Sequence, residues 1–427
     1  MAFERDLPRL TRDLTEPEPI PEAGIARAVE LMRSGRLFRY GEMGIDQRDV
    51  SLLEDEFAKL TSRRYCVAVN SGGAALFLAL KVVGVQPGDT VLVNGFTLAP
   101  VPGAIVHAAA RPAIVEIDRD YVIDLEDLDR KARETGAKVL LLSHMRGHIS
   151  QMDRVVEICA RHGIVLIEDC AHALCASYKG RAIGSFGAVA AFSAQTYKHL
   201  NAGEGGFLVT DDPVMAGRSI LHSGSYMLYE QHLSTPGSRV IDPLAEHVPN
   251  FSMRMSALSA AILRPQLKDL PQRVERWNAI HDRIVAGLSG TPYVRLPNRP
   301  KEQVYSATSV QFSVLEFTAD QMKDFVAIAR ARGLPIKWFG AGHQAGFTSA
   351  PRHWRYAGDQ GALASTHAVL ANLCDIRTPL ALTDEECDLI AAIVREAIQS
   401  VLQSSRESGH EGHQRVLGNA MQTGRNT

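Results

Sequence analysis

Between Cys66 and Thr210 the chain alternates short runs of consecutive apolar residues with stretches of helical spacing. The runs are Cys66–Asn70, Thr90–Val93, Ala113–Ile117, Lys138–Leu142, Gly163–Ile167, Gly187–Phe192 and Phe207–Thr210. A strand that is apolar at every position has both faces buried, and the intervening helices supply the cover. The pattern therefore predicts an α/β fold around a mostly parallel seven-stranded sheet. Helices are expected through Ala74–Leu80 and from Met152 to His162, where Gly163 provides a C-terminal stop.

Outside this region the texture changes. Residues 1–20 are polar and carry three prolines, which reads as an arm, and a short helix is expected from Glu22 to Ser34. Residues 222–250 read as a long loop, and a long helix from about Ser256 to Leu288 is expected to kink at Pro265 and Pro271. A smaller α+β unit follows, with a strand at Ser309–Val314, a helix over Asp320–Arg332 and a final helix over Asp384–Leu402. The expected division is an arm and helix (1–33), a large domain (34–255), a linking helix with a small C-terminal domain (256–402) and a disordered polar tail (403–427).

Composition narrows the function classes. With 46 lysines and arginines against 48 aspartates and glutamates, nothing supports a nucleic-acid or membrane-surface partner. No apolar run reaches the roughly 18 residues of a spanning helix, and the charged N-terminus lacks an apolar signal segment. The six cysteines form no CxxC pair, so no metal site or disulfide framework is expected. The default is a cytoplasmic protein.

Three segments carry candidate chemistry. Asn70-Ser71-Gly72-Gly73 lies where a strand gives way to a helix, a place that either binds an anion on backbone amides or is a tight turn. Glu168-Asp169 ends an apolar strand, where ligands of open α/β sheets bind; Asp169 either serves a ligand or caps the next segment, and Glu168 is assigned to core pairing. Lys198 follows a strand, five residues after Ser193 and just before Gly203-Glu204-Gly205-Gly206. A lysine so placed is either a surface residue or the tether of pyridoxal 5'-phosphate, which needs an acid for its ring nitrogen and a cradle for its phosphate. All three parts occur, in order, at strand ends.

The segments Cys66–Leu80, Gln86–Leu92, Ile164–Cys175, Gly180–Gly187 and Phe192–Thr210 together resemble the DegT/DnrJ/StrS-type aminotransferases. This is a fold-type I branch known for amino-sugar and aminocyclitol biosynthesis. Ser252-Met253-Arg254-Met255 and the helix after it resemble the family's dimer contact. The resemblance implies an imine between Lys198 and pyridoxal phosphate, Asp169 on the pyridine nitrogen, and His172 against the ring. Ser71, Gly72, Gly73 and Ser193 would hold the phosphate. It also implies a homodimer with shared sites, an amino acid donor (glutamate or glutamine) and a keto acceptor of the sugar or cyclitol kind.

Four departures bear on the acceptor. Gly73 stands where the family has Thr or Ser. Leu98 replaces a ring-stacking aromatic, with Phe96 as the substitute. Ser252 replaces an Asn that reaches the partner's phosphate, and Asn250 lies two residues earlier. Ile336–Gly340 replaces a Tyr-Pro segment. Arg146 is a candidate for an acidic acceptor group, Arg254 for a structural ion pair, and Tyr226 and Trp338 for core packing or a pocket wall. The alternatives are a lyase or dehydratase on the same scaffold, or a non-catalytic regulatory protein. The family's dehydratases replace the lysine by histidine, and the retained Lys198 and Asp169 favour transamination.

Overall fold

The computed structural model describes residues 8–41, 44–45, 48–344, 346 and 348–423, with backbone alone over 407–423. The first seven residues of the expected arm and the last four of the expected tail lie outside them. The large sheet contains β1 (Tyr65–Val69), β2 (Thr90–Asn94), β3 (Arg111–Val115), β4 (Val139–Ser143), β5 (Val165–Asp169), β8 (Val189–Ser193) and β9 (Gly206–Thr210). The two-residue strands β6 (Ser177–Tyr178) and β7 (Arg181–Ala182) form a separate flap. The seven strands lie in the order β1-β9-β8-β5-β4-β2-β3. All neighbours from β8 to β3 run parallel, while β9 is antiparallel to both β8 and β1.

The unbroken apolar runs have the expected cause. Cys66, Ala68, Leu140, Leu142, Leu166 and Phe192 enter the core on one face, whereas Val67, Val69, Leu141, Ile167 and Val189 enter the core on the other. Helices α1 (Glu22–Ser34), α2 (Asp49–Leu60), α3 (Gly72–Val82), α4 (Pro100–His107), α5 (Leu125–Thr135) and α6 (Met152–His162) accompany the strands. Helix α3 is apolar nearly all round because it is buried, and the Ser71 hydroxyl caps it by accepting from the Ala74 amide at 3.0 Å. Glu54 of α2 ties that helix to β1. It accepts from Arg39 at 2.8 and 2.9 Å and from the Ala68 amide at 2.8 Å. Burial pushes the Glu54 carboxyl up, but Arg39 and His232 hold it down at about 2.

The expected loop over 222–250 is partly helical. Helix α7 (Pro213–Ser223) enters it and α8 (Ser238–Ala245) lies within it. One turn-rich amphipathic pair of turns, interrupted by Pro243, is too short to show a period, yet Ile241 is buried against Gly217 of α7. Helix α9 (Ala257–Leu288) takes Ser256 as its cap and runs on through Pro265 and Pro271 as one element. The polar arm is anchored as well: Leu10 and Leu14 are buried in the C-terminal core, because two apolar residues suffice to dock an extended chain.

The C-terminal unit has β10 (Val294–Arg295), β11 (Gln303–Val304), β12 (Ser309–Val314), β13 (Lys337–Trp338) and β14 (Leu373–Arg377), with α10 (Ala319–Ala331), α11 (Ala364–Ala371) and α12 (Asp384–Thr423). Its antiparallel sheet has the order β10-β12-β14-β13, and β11 joins the flap. Helix α12 continues beyond the point where order was expected to end, although Val401 is its last buried residue among those whose side chains are described. No helix of the described residues is long and apolar enough to cross a membrane.

One contact joins the sheet to the start of α3. A Cβ at Gly206 would lie 2.3 Å from the Ser71 carbonyl oxygen and 2.8 Å from the Gly72 nitrogen. Gly103 in α4 has nothing within 4 Å of an added Cβ. In urea unfolding, Gly206→Ala is expected to lose about 2 kcal/mol or more, and Gly103→Ala to gain about 0.5–1 kcal/mol. Equal effects would show that the close approach does not constrain the fold.

Candidate active site

The parallel strands deliver their carboxyl ends to one cavity of about 310 Å³. β3 lies on one side of β2 and β4 on the other, so strand order reverses beside it, the usual ligand position in such sheets. The register aligns Ser143 with Asp169, and β9 sets Gly206 between Ser193 and Val69. Ser71, Gly72, Gly73, Asp169, His172, Ser193 and Lys198 all line the cavity.

Lys198 is carried by the loop after β8, which is closed by the Ala194 amide on Gly205 oxygen (2.8 Å) and the Thr196 amide on Gly203 oxygen (3.1 Å). Its Nζ lies 2.8 Å from His172 Nε2. The residue is half-buried and lines the cavity. That burial pulls its pKa down to about 7, aided by the positive charge of Arg146, opposed by Asp169, and aided again by Lys337 and Arg377. Burial likewise holds His172 well below its ordinary range, with Lys198 and Arg146 adding to the effect, so the imidazole is neutral.

Asp169 accepts from the Ser143 hydroxyl at 2.7 Å through Oδ2 and from the Ala171 amide at 3.1 Å through Oδ1. It therefore caps the local turn and also faces the cavity. Glu168 points the other way. It accepts from the Gly187 amide at 2.7 Å and the Gly184 amide at 3.0 Å, with His144 Nε2 at 3.1 Å. His144, Glu168 and Cys170 could group around a metal ion, but Glu168 is already committed to these partners and serves as an anchor between strands.

The turn before α3 is tight where it meets β8. A Cβ at Gly72 would sit 2.7 Å from Ser193 Cβ, whereas one at Gly73 would meet only Ser71 Oγ, at 3.8 Å. Among the described residues, four buried polar atoms at the cavity have no hydrogen-bond partner in the protein: Thr97 Oγ1, His172 Nδ1, and Nε and Nη2 of Arg146.

Other expected residues lie elsewhere. Phe96 is buried behind the wall, edge-on to Phe339 at 5.2 Å, and Thr97 and Leu98 form the wall itself. Asn250 and Ser252 bond to each other, with Asn250 Oδ1 accepting from the Ser252 amide at 2.9 Å, and neither lines the cavity of its own chain. Arg254 donates to Gly224 oxygen at 3.1 Å and stacks over the exposed Tyr226 ring at 4.8 Å. Trp338 donates to Ala371 oxygen at 2.6 Å. Ser143, Thr97, Lys337 and Arg377 were not anticipated. Ser143 was legible as a hydroxyl ending an apolar run; Lys337 and Arg377 reach the cavity only through the pairing of β13 with β14.

A family model described as the DegT/DnrJ/EryC1/StrS aminotransferase family matches residues 21–395. Spore coat polysaccharide biosynthesis protein SpsC of Bacillus subtilis is 34% identical over 58% of this chain and 64% of its own. L-glutamine:2-deoxy-scyllo-inosose aminotransferase of Streptomyces kanamyceticus is 33% identical over 61% of this chain and 60% of its own. The chain thus spans less than two thirds of the length of these curated relatives. The crystal structure of S. venezuelae DesV in complex with a ketimine intermediate is similar with a TM-score of 0.73 and 26% identity, over 87% of this chain and 93% of that one. By the extent of the family match, the chain belongs to the DegT/DnrJ/EryC1/StrS aminotransferase family.

Proposed function

We propose that the protein is a pyridoxal 5'-phosphate-dependent aminotransferase, moving an amino group from glutamate or glutamine to a keto acceptor of the sugar or cyclitol kind. The observation that carries this is the half-buried Lys198 amine with a pKa lowered to about 7, in one cavity with Asp169 and the Ser71–Gly73 turn. The residues fit the cofactor. The capped helix start and Ser193 suit a phosphate, the carboxylate of Asp169 suits a ring nitrogen, and His172 Nδ1 and Thr97 Oγ1 lack partners that a polar cofactor would supply. The relative named as a glutamine:inosose aminotransferase supports the donor and acceptor classes.

When bound, pyridoxal phosphate supplies a carbonyl that exchanges amines and a ring that withdraws electrons from the carbon beside the nitrogen. The chain supplies the rest. A neutral Lys198 amine is both nucleophile and base, and a pKa of about 7 makes its two protonation states comparably populated at neutral pH. It can thus take a proton from the substrate carbon and return it at a neighbouring position. His172 orients Nζ through the 2.8 Å contact and, being neutral, adds no charge that would repel the ammonium form. Asp169, held by Ser143 and the Ala171 amide, keeps its carboxylate fixed to hold a proton on a ring nitrogen. Ser71, Gly72, Gly73 and Ser193 position the phosphate.

The reading extends to a homodimer in which Asn250 and Ser252 serve the partner's cavity. Both lie outside their own cavity, and Ser252 is hydrogen-bonded to the exposed Tyr226. It extends also to a cytoplasmic location, where the six unpaired thiols would stay reduced.

Purified protein is expected to absorb as an imine of pyridoxal phosphate, and glutamate or glutamine to bleach that band with release of the matching keto acid. Lys198→Ala should abolish the band; an unchanged spectrum, or no response to any amino acid, contradicts the reading. His172→Ala should lower kcat about 10²-fold, and His172→Gln should recover part of it. Equal rates would remove His172 from the mechanism.

Burial of Lys198 also costs stability in the cofactor-free protein. Its folded pKa of about 7 lies below the unfolded value of 10.5, so the unfolded chain binds more protons between these limits. The penalty is full below about pH 7 and vanishes as pH rises through 10.5. Cofactor-free Lys198→Met should therefore gain about 2–3 kcal/mol in urea unfolding at pH 6, with the gain shrinking toward pH 10. A gain independent of pH would mean that the amine is not desolvated.

A further inference from the structure

The cavity has a second chemical end. Arg146 lies three residues beyond Ser143, the end of β4, and Lys337 and Arg377 come from β13 and β14. Order in the large sheet places the strand of Asp169 between β4, which Arg146 follows, and the Ser71–Ser193 end, so Arg146 stands apart from the proposed phosphate cradle, and Lys337 joins it at Asp375. Register sets Lys337 opposite Asp375 and puts Arg377 two residues further along the same face. Arg146 lies 3.1 Å from the buried Asp375, an ion pair not aligned as a hydrogen bond, and Lys337 lies 3.6 Å from the same carboxylate. Arg377 stacks at 3.8 Å on the Tyr197 ring, which also lines the cavity.

Two cations thus share one carboxylate, and a third, Arg377, stands beside them without an ion pair among the described residues. The Arg146 side chain is only 9% exposed, and its Nε has no hydrogen-bond partner in the protein. Its backbone is left-handed, with φ 55° and ψ 22°, a conformation that a non-glycine residue keeps only where its surroundings hold it. Gly147 follows, wedged against His172 and Ser306 oxygens, each 3.2 Å from where a Cβ would stand. The structure therefore holds a guanidinium, incompletely partnered, against the cavity. Planar guanidinium groups match carboxylates in a bidentate fork.

We propose that Arg146, Lys337 and Arg377 form a subsite for the carboxylate of a reacting substrate. This rests on the aminotransferase reading and adds that one of the two substrates is bound by its acidic group at the β4 side of Lys198. The carboxylate is that of the amino acid donor or of an acidic keto acceptor. In either case it offsets the unmatched positive charge that lowers the proton affinity of Lys198, so an empty subsite favours the free amine and a filled one favours its protonated form.

The test uses the cofactor-loaded protein and glutarate, an unreactive dicarboxylate, with glutaramide as the neutral control. Arg377→Gln and Arg146→Gln should each weaken glutarate binding, measured by calorimetry, at least ten-fold, and leave glutaramide unaffected. Arg377 has no ion pair among the described residues, so its variant remains informative if loss of the Arg146–Asp375 pair disturbs folding. Unchanged glutarate affinity in Arg377→Gln, with the Arg146 variant unchanged or unfolded, would overturn the subsite. Single-turnover reactions then assign the source. Slower bleaching by glutamate in the variants assigns the carboxylate to the donor; slower reaction of the aminated enzyme with keto acids than with neutral ketones, relative to wild type, assigns it to the acceptor. Arginine-dependent glutarate binding in a wild-type protein that no amino acid bleaches would keep the subsite and discard the aminotransferase reading.

Discussion

A lysine amine placed away from water loses its proton unless a neighbouring carboxylate offsets the cost. The site around Lys198 is built on that balance. Burial and the charges of Arg146, Lys337 and Arg377 push the proton off, Asp169 draws it back, and the result lies near pH 7. Each group in the balance comes from a different part of the fold. Lys198 follows β8, Asp169 ends β5, Arg146 follows β4, and the other two cations stand on the C-terminal sheet. The proton affinity of one amine thus depends on the docking of the whole C-terminal unit against the large sheet.

The architecture makes this convergence inexpensive. Parallel strands all end on the same side, so hydroxyl and carboxylate residues at their last positions meet without long loops. β9 breaks the parallel pattern, and its Gly206 lets the Ser71 turn press against β8. Gly72 then brings the start of α3 against Ser193, where any side chain would collide. The phosphate end of the proposed site is therefore a product of close backbone packing, and the Arg146 end a product of side-chain charge.

How much of this could be read in the sequence follows from the range of each interaction. Continuous apolar runs marked the seven strands because burial on both faces is a local property of each segment. Lys198, Asp169, Ser71 and Ser193 were legible because each lies within a few residues of a strand end. Lys337 and Arg377 were not, since their place depends on strand pairing across some 40 residues of chain. Phe96 illustrates the limit from the other side: its position in the chain suited the cavity, but its side chain turns into the core, leaving Leu98 and Thr97 at the wall. Helix α8 was missed because eight residues interrupted by Pro243 carry too little periodicity.

The central claim is that Lys198, among the lysines at this cavity, carries the cofactor. Borohydride reduction of the cofactor-loaded protein, followed by peptide mass mapping, tests it directly. The account predicts that the reduced pyridoxyl group is found on the peptide containing Lys198. Its recovery on Lys337, the other lysine lining the cavity, would contradict the account.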